Sequence, residues 1–228
     1  MRNTLRTSAV TLIAAGLALA QIAPQRGHIR AFGEAAVAVK PDLAKVSIAV
    51  TTQAATAQEA SAQNAAKSTA VFAALQQAVG TNGEIRTVSF SVAPIYTYPR
   101  DASPVLTGFS VTNMVEVSVG DLNITGRVID TAIGAGASRV ESLRLLLKDE
   151  EPVRAQALRA AGQKARARAE AIAGGLNVRV GPLISAEEGV STRIIGDTRE
   201  GPTAVTTPIQ SGTLEVRAQI TVEYESLQ

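Results

Sequence analysis

Side chains able to carry out nucleophilic or acid–base chemistry are scarce in this sequence. It contains no cysteine and a single histidine, His28. A Ser-His-acid triad needs a positioned imidazole, and His28 lies near the expected start of the processed chain, where we expect it to be solvated. Zinc sites of the usual kind need three or four ligands, which histidine and cysteine cannot supply here. We therefore predict no catalytic residue, no metal site and no cofactor.

One segment has the spacing of a calcium-binding loop. Asp121, Asn123, Thr125 and Gly126 fall at loop positions one, three, five and six, but position twelve is Ala132, where a bidentate glutamate is required. We therefore expect Asp121 to cap a helix instead. The same segment, from Asn123 to Thr125, matches a glycosylation sequon, a pattern that often arises by chance.

Charged residues are frequent in one predicted helix, yet their arrangement does not indicate a nucleic-acid or lipid site. They spread over more than half of the helix circumference and lack interleaved aromatic residues, so we expect a solvated face. The adjacent pairs Glu150-Glu151 and Glu187-Glu188 point apart on a helix or strand, whereas acid–base catalysis needs convergent carboxylates. The basic residues of this helix are Arg154, Arg159, Lys164, Arg166 and Arg168.

Tyr96 and Tyr98 are the side chains that bear most directly on binding. They share one side of a predicted strand with Val88, Phe90 and Val92, next to the turn-forming segment PRDASP. The tyrosines either pack in a core or, if exposed, form a contact patch for another subunit or a ligand. Tyr96 and Tyr98 are our candidate contact patch.

The elements that position these residues follow the order ββα-ββα-βα-ββ. This order predicts an α+β domain in which about three helices pack on a largely antiparallel sheet. About two hundred residues suit one domain or two small, closely packed ones. Strands are predicted over residues 29–40, 43–50, 85–98, 107–119, 140–148, 177–188 and 213–225, and helices over 56–80, 121–136 and 149–175.

Local signals mark several of these boundaries. Thr56 and Glu59 form a capping box, and Gly80 suits the end of the same helix. Pro41-Asp42 predicts a tight turn between two antiparallel neighbours. Asn113 interrupts the apolar side of its strand, so we expect its amide to be paired or to lie near a sheet edge.

The C-terminal half combines a helix of small residues with an alternating strand. Because the last strand alternates apolar and polar residues, one of its faces should be wet, and its apolar face and free edge could pair with a neighbouring molecule. Residues 189–212 are rich in glycine, threonine and proline, which predicts a mobile loop or a weak hairpin. The helix stripe that we expect to lie close on the sheet is Val153, Ala157, Ala161, Ala165, Ala169, Ile172 and Leu176.

The N-terminus has the three-part pattern of a secretory signal peptide. Arg2 and Arg6 precede an uncharged run over residues 8–22, which contains the small-residue triplet 18–20. The run is shorter than the ~20 residues that a spanning helix needs. We expect a signal peptide over residues 1–20, cleaved after Ala20, and a periplasmic protein; an uncleaved N-terminal anchor is the alternative.

Removal of the signal peptide changes the charge balance. The full chain carries a formal charge of +2, and without the two signal arginines the charge is zero. A neutral chain gives no reason to expect a nucleic-acid partner or stable membrane insertion after cleavage. The absence of cysteine also excludes a lipid-modified signal and means that the core alone must hold the exported fold.

Three segments are distinctive in sequence and order: GEAAVAVKPDLAKVSIAV, TGFSVTNMVEVSVGDLNITGRVIDTAIGAGAS and ARARAEAIAGGLNVRVGPLISAEE, which together span most of residues 33–188. In this order they resemble the SIMPL-domain family of exported bacterial proteins, which includes periplasmic immunogenic proteins. Within the second segment, Gly108-Phe109-Ser110 and Asp121-Leu122 match the family's strand and helix start. The insertion after Glu188 lies where family members vary.

The resemblance implies an envelope location, ring-like homo-oligomers in some members and an association of others with tolerance of oxidative stress. It implies no catalytic residue set, so no active site can be transferred to this chain. We accordingly expect a domain over residues 27–228 that is non-enzymatic, forms a homo-oligomer and serves as an envelope assembly or binding module.

Two other functions stay open from the sequence. The first is an oxidative-stress defence protein or an enzyme that acts on a small envelope metabolite. With only Met1 and Met114 as sulfur-containing side chains, direct scavenging would require a cofactor. The second is passive binding of a hydrophobic small molecule of unknown identity, which requires a sizeable apolar cavity.

Overall fold

Seven strands and three helices follow one another in the predicted order in the structure, a computed structural model that describes residues 27–100, 103–195 and 212–228. The α+β class and the order ββα-ββα-βα-ββ are confirmed. The elements are β1 (His28–Val39), β2 (Leu43–Ala54), α1 (Ala57–Val79), β3 (Gly83–Thr97), β4 (Val105–Val119), α2 (Thr125–Gly134), β5 (Arg139–Leu146), α3 (Glu151–Gly175), β6 (Arg179–Ile195) and β7 (Thr213–Leu227).

The strands divide between two antiparallel sheets. Sheet A has the strand order β1-β7-β6, and sheet B has the order β3-β4-β2-β5. In sheet A the first described strand pairs along its whole length with the last, from His28 opposite Glu225 to Val39 opposite Leu214. The two ends of the described chain therefore build one sheet, and the middle of the chain builds the other.

The predicted tight turn at Pro41-Asp42 is wrong. Strand β1 pairs with β7, whereas β2 pairs with β4 and β5, so this segment carries the chain from sheet A to sheet B. Asp42 is held by β5 rather than by a turn: its N–H donates to the carbonyl of Leu146 at 3.1 Å, and its Oδ1 accepts from the N–H of Lys148 at 2.6 Å. Turn-forming residues mark a change of direction but do not decide which strands pair.

The predicted free edge of the last strand is also wrong. Strand β7 is the central strand of sheet A, with β1 on one side and β6 on the other. Its alternation is confirmed, because the apolar residues Leu214, Val216, Ala218, Val222 and Tyr224 are buried. The alternation shows which face is buried, but it does not show what lies beside the strand.

Strand β6 extends further than its sequence pattern suggests. Residues 189–195, placed in the predicted loop or hairpin, pair with β7 as far as Ile195 opposite Thr213. The β-branched residues Val190, Thr192, Ile194 and Ile195 favour a strand there. Residues 196–211 of that segment, like the predicted signal peptide, lie outside the described residues.

Helices α1 and α2 cover sheet B through a core of branched residues. The capping box is confirmed, since Thr56 Oγ1 accepts from the N–H of Glu59 and Gly80 follows the helix. Asn113 is paired as expected: its Nδ2 donates to Ser68 Oγ at 3.1 Å, while its buried Oδ1 has no partner among the described residues. The fully buried side chains of this core include Val46, Ile48, Val50, Val71, Leu75, Val115, Val117 and Val128.

Helix α3 covers sheet A through alanines. A side chain on Gly33 of β1 would overlap the backbone of Ala161 and Ala165, so strand and helix are in direct backbone contact. The predicted stripe is wrong at its end, because Ile172 and Leu176 are exposed. The buried residues keep a spacing of four along the helix, and they are Ala157, Ala161, Ala165, Ala169 and Ala173.

Candidate functional site

The outer end of the β3–β4 hairpin carries both tyrosines of the candidate contact patch. Tyr96 is 45% exposed and Tyr98 is 75% exposed, so packing in a core, the alternative from the sequence, is wrong. Tyr96 stands opposite Leu106 and Thr97 opposite Val105, where the two strands extend beyond the end of β2. No third strand supports the hairpin at this level within the described residues.

The tyrosines belong to a larger group of exposed apolar side chains, which we name the arm patch. Large apolar residues of soluble proteins are often partly exposed one at a time, but several of them together on one hairpin indicate an interaction surface. The sequence pattern had placed five of these on one side of β3 and missed the two on β4. The arm patch consists of Val88, Phe90, Val92, Tyr96, Tyr98, Val105 and Leu106, each between 44% and 75% exposed.

Part of the arm patch continues the face that α1 covers. Phe90 stands opposite Asn113 and Val92 opposite Val111, so each shares the face of its partner. Val111 is fully buried and Asn113 donates to Ser68 of α1, yet Phe90 is 57% exposed. Helix α1 therefore lies over β4, β2 and the start of β3, where Ile85 packs against the core, but leaves Phe90 and Val92 uncovered.

The backbone edge of β3 is also open. Strand β3 is the outermost strand of sheet B, so within the part of the chain that the structure describes, one side of it presents unpaired N–H and C=O groups. From Thr87 to Tyr98 the sequence has no charged residue, and Pro94 is the one residue there that lacks an N–H donor. Proteins usually protect such edges with lysines or other charges, and this stretch has none.

A second constellation crosses the opposite face of sheet B with one residue from each strand. Glu116 of β4 is 4% exposed and is the centre of this ionic row. Arg86 Nη2 lies 2.6 Å from its Oε1, Arg144 Nη2 lies 2.9 Å from its Oε2, and Lys45 Nζ lies 3.7 Å from its Oε1. The row is therefore Arg86 (β3), Glu116 (β4), Lys45 (β2) and Arg144 (β5), and sequence reasoning missed it because its members are far apart in the chain.

The ionic row is suited to structure rather than to proton transfer. The hydrogen bond from Arg86 holds the pKa of Glu116 below its usual value; burial acts in the opposite direction, and the charges of Lys45, Arg86 and Arg144 lower it further. A general acid or base needs a pKa near the working pH. Glu116 is instead held as a carboxylate that joins four strands.

The other residues singled out by sequence have ordinary surroundings. His28 is exposed at the start of β1, and its Nε2 lies 3.3 Å from Glu223 Oε1. Asp121 Oδ1 accepts from the N–H of Asn123 at 3.0 Å, so it caps the short 3₁₀ turn that leads into α2. The prediction that Asp121 acts as a cap is confirmed, but it caps this turn rather than α2 itself, which begins at Thr125.

The basic residues of α3 are partly paired rather than wholly solvated. Arg154 Nη2 lies 3.0 Å from Glu188 Oε1 of β6, and Arg166 Nε lies 2.9 Å from Glu170 Oε1. Arg168 lies over the ring of Phe32, and its Nη1 donates to the carbonyl oxygen of Phe32 at 2.9 Å. Glu188, one of the adjacent acidic pair on β6, thus serves as an ion-pair partner for this helix.

Comparison with protein families gives a match over nearly the whole described chain. The SIMPL family model, described as a protein of unknown function (DUF541), matches residues 29–224. This range runs from the second residue of β1 to Tyr224 within β7, and so takes in strands of both sheets and all three helices. The chain belongs to the SIMPL family. The resemblance inferred from the three sequence segments is confirmed.

Relatives of this SIMPL protein come from several bacteria. The 26 kDa periplasmic immunogenic protein of Brucella melitensis biotype 1 is 29% identical over 172 residues, which cover 74% of this chain and 69% of the relative. The uncharacterized protein YggE of Edwardsiella ictaluri is 27% identical and covers 78% of this chain and 74% of its own length. The uncharacterized protein YggE of Escherichia coli strain K12 is 25% identical, and the match covers 90% of this chain and 80% of the relative.

These names say where one relative is found and give no reaction for any of them. Among the residues that the structure describes, no helix combines the length and the apolar character needed to cross a membrane. The arm patch of this SIMPL protein combines exposed apolar side chains with an edge strand, an arrangement suited to apolar contact and strand pairing.

Proposed function

We propose that this SIMPL protein is exported to the periplasm, carries no enzymatic activity, and acts by self-association through the arm patch as an assembly or binding module of the envelope. The single observation that carries the proposal is the uncharged, uncovered edge of β3 with its exposed apolar side chains. The name of the Brucella relative and the signal-like N-terminus support the location.

Two physical contributions favour association at this surface. Burial of the exposed apolar groups releases water, and aromatic side chains such as Phe90, Tyr96 and Tyr98 contribute strongly to interfaces. A second strand laid along β3 would also satisfy its open N–H and C=O groups. A second copy is the partner we propose, because every copy carries the same self-complementary apolar edge.

The proposal of a non-enzymatic role rests on the residues themselves. The buried carboxylate of the ionic row, Glu116, is held charged by its partners. The histidine is exposed and the sequence has no thiol. A stoichiometric metal or chromophore in the purified protein would instead favour the alternative of a stress-defence protein or enzyme.

Oligomeric state tests the proposal. The full chain is exported by a bacterial host, purified from the periplasm and examined by light scattering over a wide concentration range. We expect a mass that rises above that of a monomer, and an intact mass whose first residue is Gln21. Phe90→Glu places a charge in the middle of the arm patch and should leave a monomer.

The matched control is Ile184→Glu on β6, where Ile184 is 54% exposed and Phe90 is 57% exposed. This variant should associate like the parent protein, and both variants should keep the parent's circular dichroism. A parent protein that stays monomeric at every concentration, or a Phe90→Glu variant that still associates, would refute association through the arm patch.

A further inference from the structure

A groove runs along the outer edge of sheet A, far in sequence from the arm patch. It lies between β1 and the C-terminal half of α3 and has a volume of about 850 Å³, within the ~300–1,000 Å³ common for small-molecule sites. Its lining residues are Arg30, Ala31, Phe32, Arg168, Ala171, Ile172, Gln219 and Thr221.

The groove has an apolar wall that the fold leaves uncovered. Phe32 of β1 is 54% exposed and Ile172 of α3 is 42% exposed. They line the groove together with Ala171. This departure of Ile172 from the buried alanine stripe places an apolar side chain at the rim rather than under the helix.

One arginine of the groove is held in a fixed orientation. The guanidinium of Arg168 lies 4.4 Å from the centre of the Phe32 ring, and its Nη1 donates to the Phe32 carbonyl oxygen at 2.9 Å. A guanidinium has five N–H donors, so this bond leaves most of them for another acceptor. Because the side chain of Arg168 occupies the Phe32 carbonyl oxygen at the outer edge of β1, a further strand cannot pair with β1 at this position.

The second arginine has no acidic partner. Arg30 is exposed, and no hydrogen bond or ion pair joins it to any of the residues that the structure describes. Its cross-strand neighbour Glu223 instead accepts from Ser185 Oγ at 3.3 Å and lies 3.3 Å from His28 Nε2. Among the described residues, the groove therefore has a cation that is engaged in no ion pair of its own.

The adjoining part of the surface is also positive. A second cavity of about 560 Å³ shares Arg168 with the groove and adds Lys164 and Arg217. Its one carboxylate, Glu34, lies 3.3 Å from Arg217 Nη1. An anion that enters the groove thus meets two arginines and no unpaired acid of the lining.

We propose that this groove binds a single-chain amphiphilic carboxylate, such as a fatty-acid anion. Arg30 and Arg168 receive the carboxylate through charge-assisted hydrogen bonds, for which arginine is well suited. The first part of the alkyl chain lies against Phe32, Ala171 and Ile172. The site belongs to sheet A and does not depend on self-association through the arm patch.

Binding of decanoate, measured by calorimetry below its micelle concentration, tests the proposal on the purified full-length protein as exported. We expect a single saturable site. Acetate, which has the head group without the chain, and decyltrimethylammonium, which has the chain with the opposite charge, should each bind at least about tenfold more weakly.

Variants then separate the groove from the rest of the surface. Arg30→Gln should weaken decanoate binding about tenfold, since a hydrogen bond to a charged group is lost. Ile172→Ser should weaken it roughly threefold. Arg159→Gln, at an exposed arginine of α3 outside the groove, should leave binding unchanged, and all three should keep the parent's circular dichroism.

Four results would overturn the proposal. The first two are the absence of saturable decanoate binding and equally tight binding of decyltrimethylammonium. The third is an equal loss of affinity in Arg30→Gln and Arg159→Gln. The fourth is that the protein binds vesicles of anionic lipid but does not bind dissolved decanoate. None of these depends on the oligomeric state, so the proposed function and the groove can fail separately.

Discussion

Sheet A and sheet B each bury one face beneath helices, but they do so with different side chains. Sheet B relies on branched residues such as Ile48 and Val115, with Leu75 of α1 packed against them. Sheet A relies on alanines of α3 and on Gly33, which bring backbone against backbone. The difference shows that one fold can combine a thick core of branched side chains with a thin one that leaves no room for an added methyl group at Gly33.

The outer edges of the two sheets differ in a second way. Edge strand β1 of sheet A carries Arg30 and Glu34 and is covered in part by Arg168. Edge strand β3 of sheet B is uncharged from Thr87 to Tyr98 and is uncovered there. The charged edge suits a small anion, whereas the apolar edge suits another protein surface.

The largest expected effect comes from breaking the close contact in sheet A. Gly33→Ala adds a methyl group that would overlap the backbone of Ala161 and Ala165, which cannot move aside as a flexible side chain could. We expect a loss of about 3 kcal/mol in the free energy of unfolding. Urea denaturation measures it, and hydrogen exchange should show lost protection in β1, β7 and α3 before sheet B.

Gly162→Ala is the control for this prediction. Its added methyl group would meet Ile220 Cδ1 at 3.6 Å, an ordinary contact, in the interior of the same helix. Stability should stay the same or rise by up to about 1 kcal/mol, because alanine favours helix over glycine. A Gly33→Ala variant as stable as Gly162→Ala would show that sheet A is not closely packed.

An intermediate effect is expected from breaking the ionic row of sheet B. Glu116→Gln leaves Arg86, Arg144 and Lys45 without their shared anion, but the two arginines are more than half exposed and regain water. We expect a loss of about 2 kcal/mol at neutral pH. Glu141→Gln, which breaks an exposed pair with Arg139, should cost less than about 0.5 kcal/mol.

The pH dependence of this loss has a definite direction. Because Glu116 has a lower pKa in the folded than in the unfolded protein, its contribution is fully present above the ordinary glutamate value of about 4.3. It fades as the pH falls from there through the lower pKa of the folded state. The stability difference between the parent and Glu116→Gln should therefore shrink in acid, and a difference that grows would contradict the assigned role.

The smallest effect is expected at the start of α1 over sheet B. Thr56→Ala removes the oxygen that accepts from the N–H of Glu59 at 3.2 Å. We expect a loss of about 1 kcal/mol in thermal or urea denaturation. Thr56→Ser keeps an acceptor and should lose much less; equal losses would mean that the cap does not stabilise the helix.

Much of the fold followed from local pattern. The helix from Ala57 to Val79 was found because its cap residues and helical spacing are signals within one segment. The alternating strand from Thr213 to Leu227 was found for the same reason. These features depend on residues that are neighbours in the chain, and local backbone and solvation preferences suffice to predict them.

The site could be found only in part. The apolar side of β3 was visible in the sequence, but whether Tyr96 and Tyr98 are buried depended on how far α1 reaches across the sheet. The ionic row could not be found, because Lys45, Arg86, Glu116 and Arg144 meet only through the strand order β3-β4-β2-β5. No local pattern encodes that order.

The sequence by itself determined the elements, their order and the family, because each depends on short-range preferences or on segments compared one at a time. The tertiary structure decided that β1 pairs with β7, that the strands form two sheets, and which edges stay open. Pairing between distant strands is chosen by the packing of whole faces against one another, a property of the complete chain that no single segment contains.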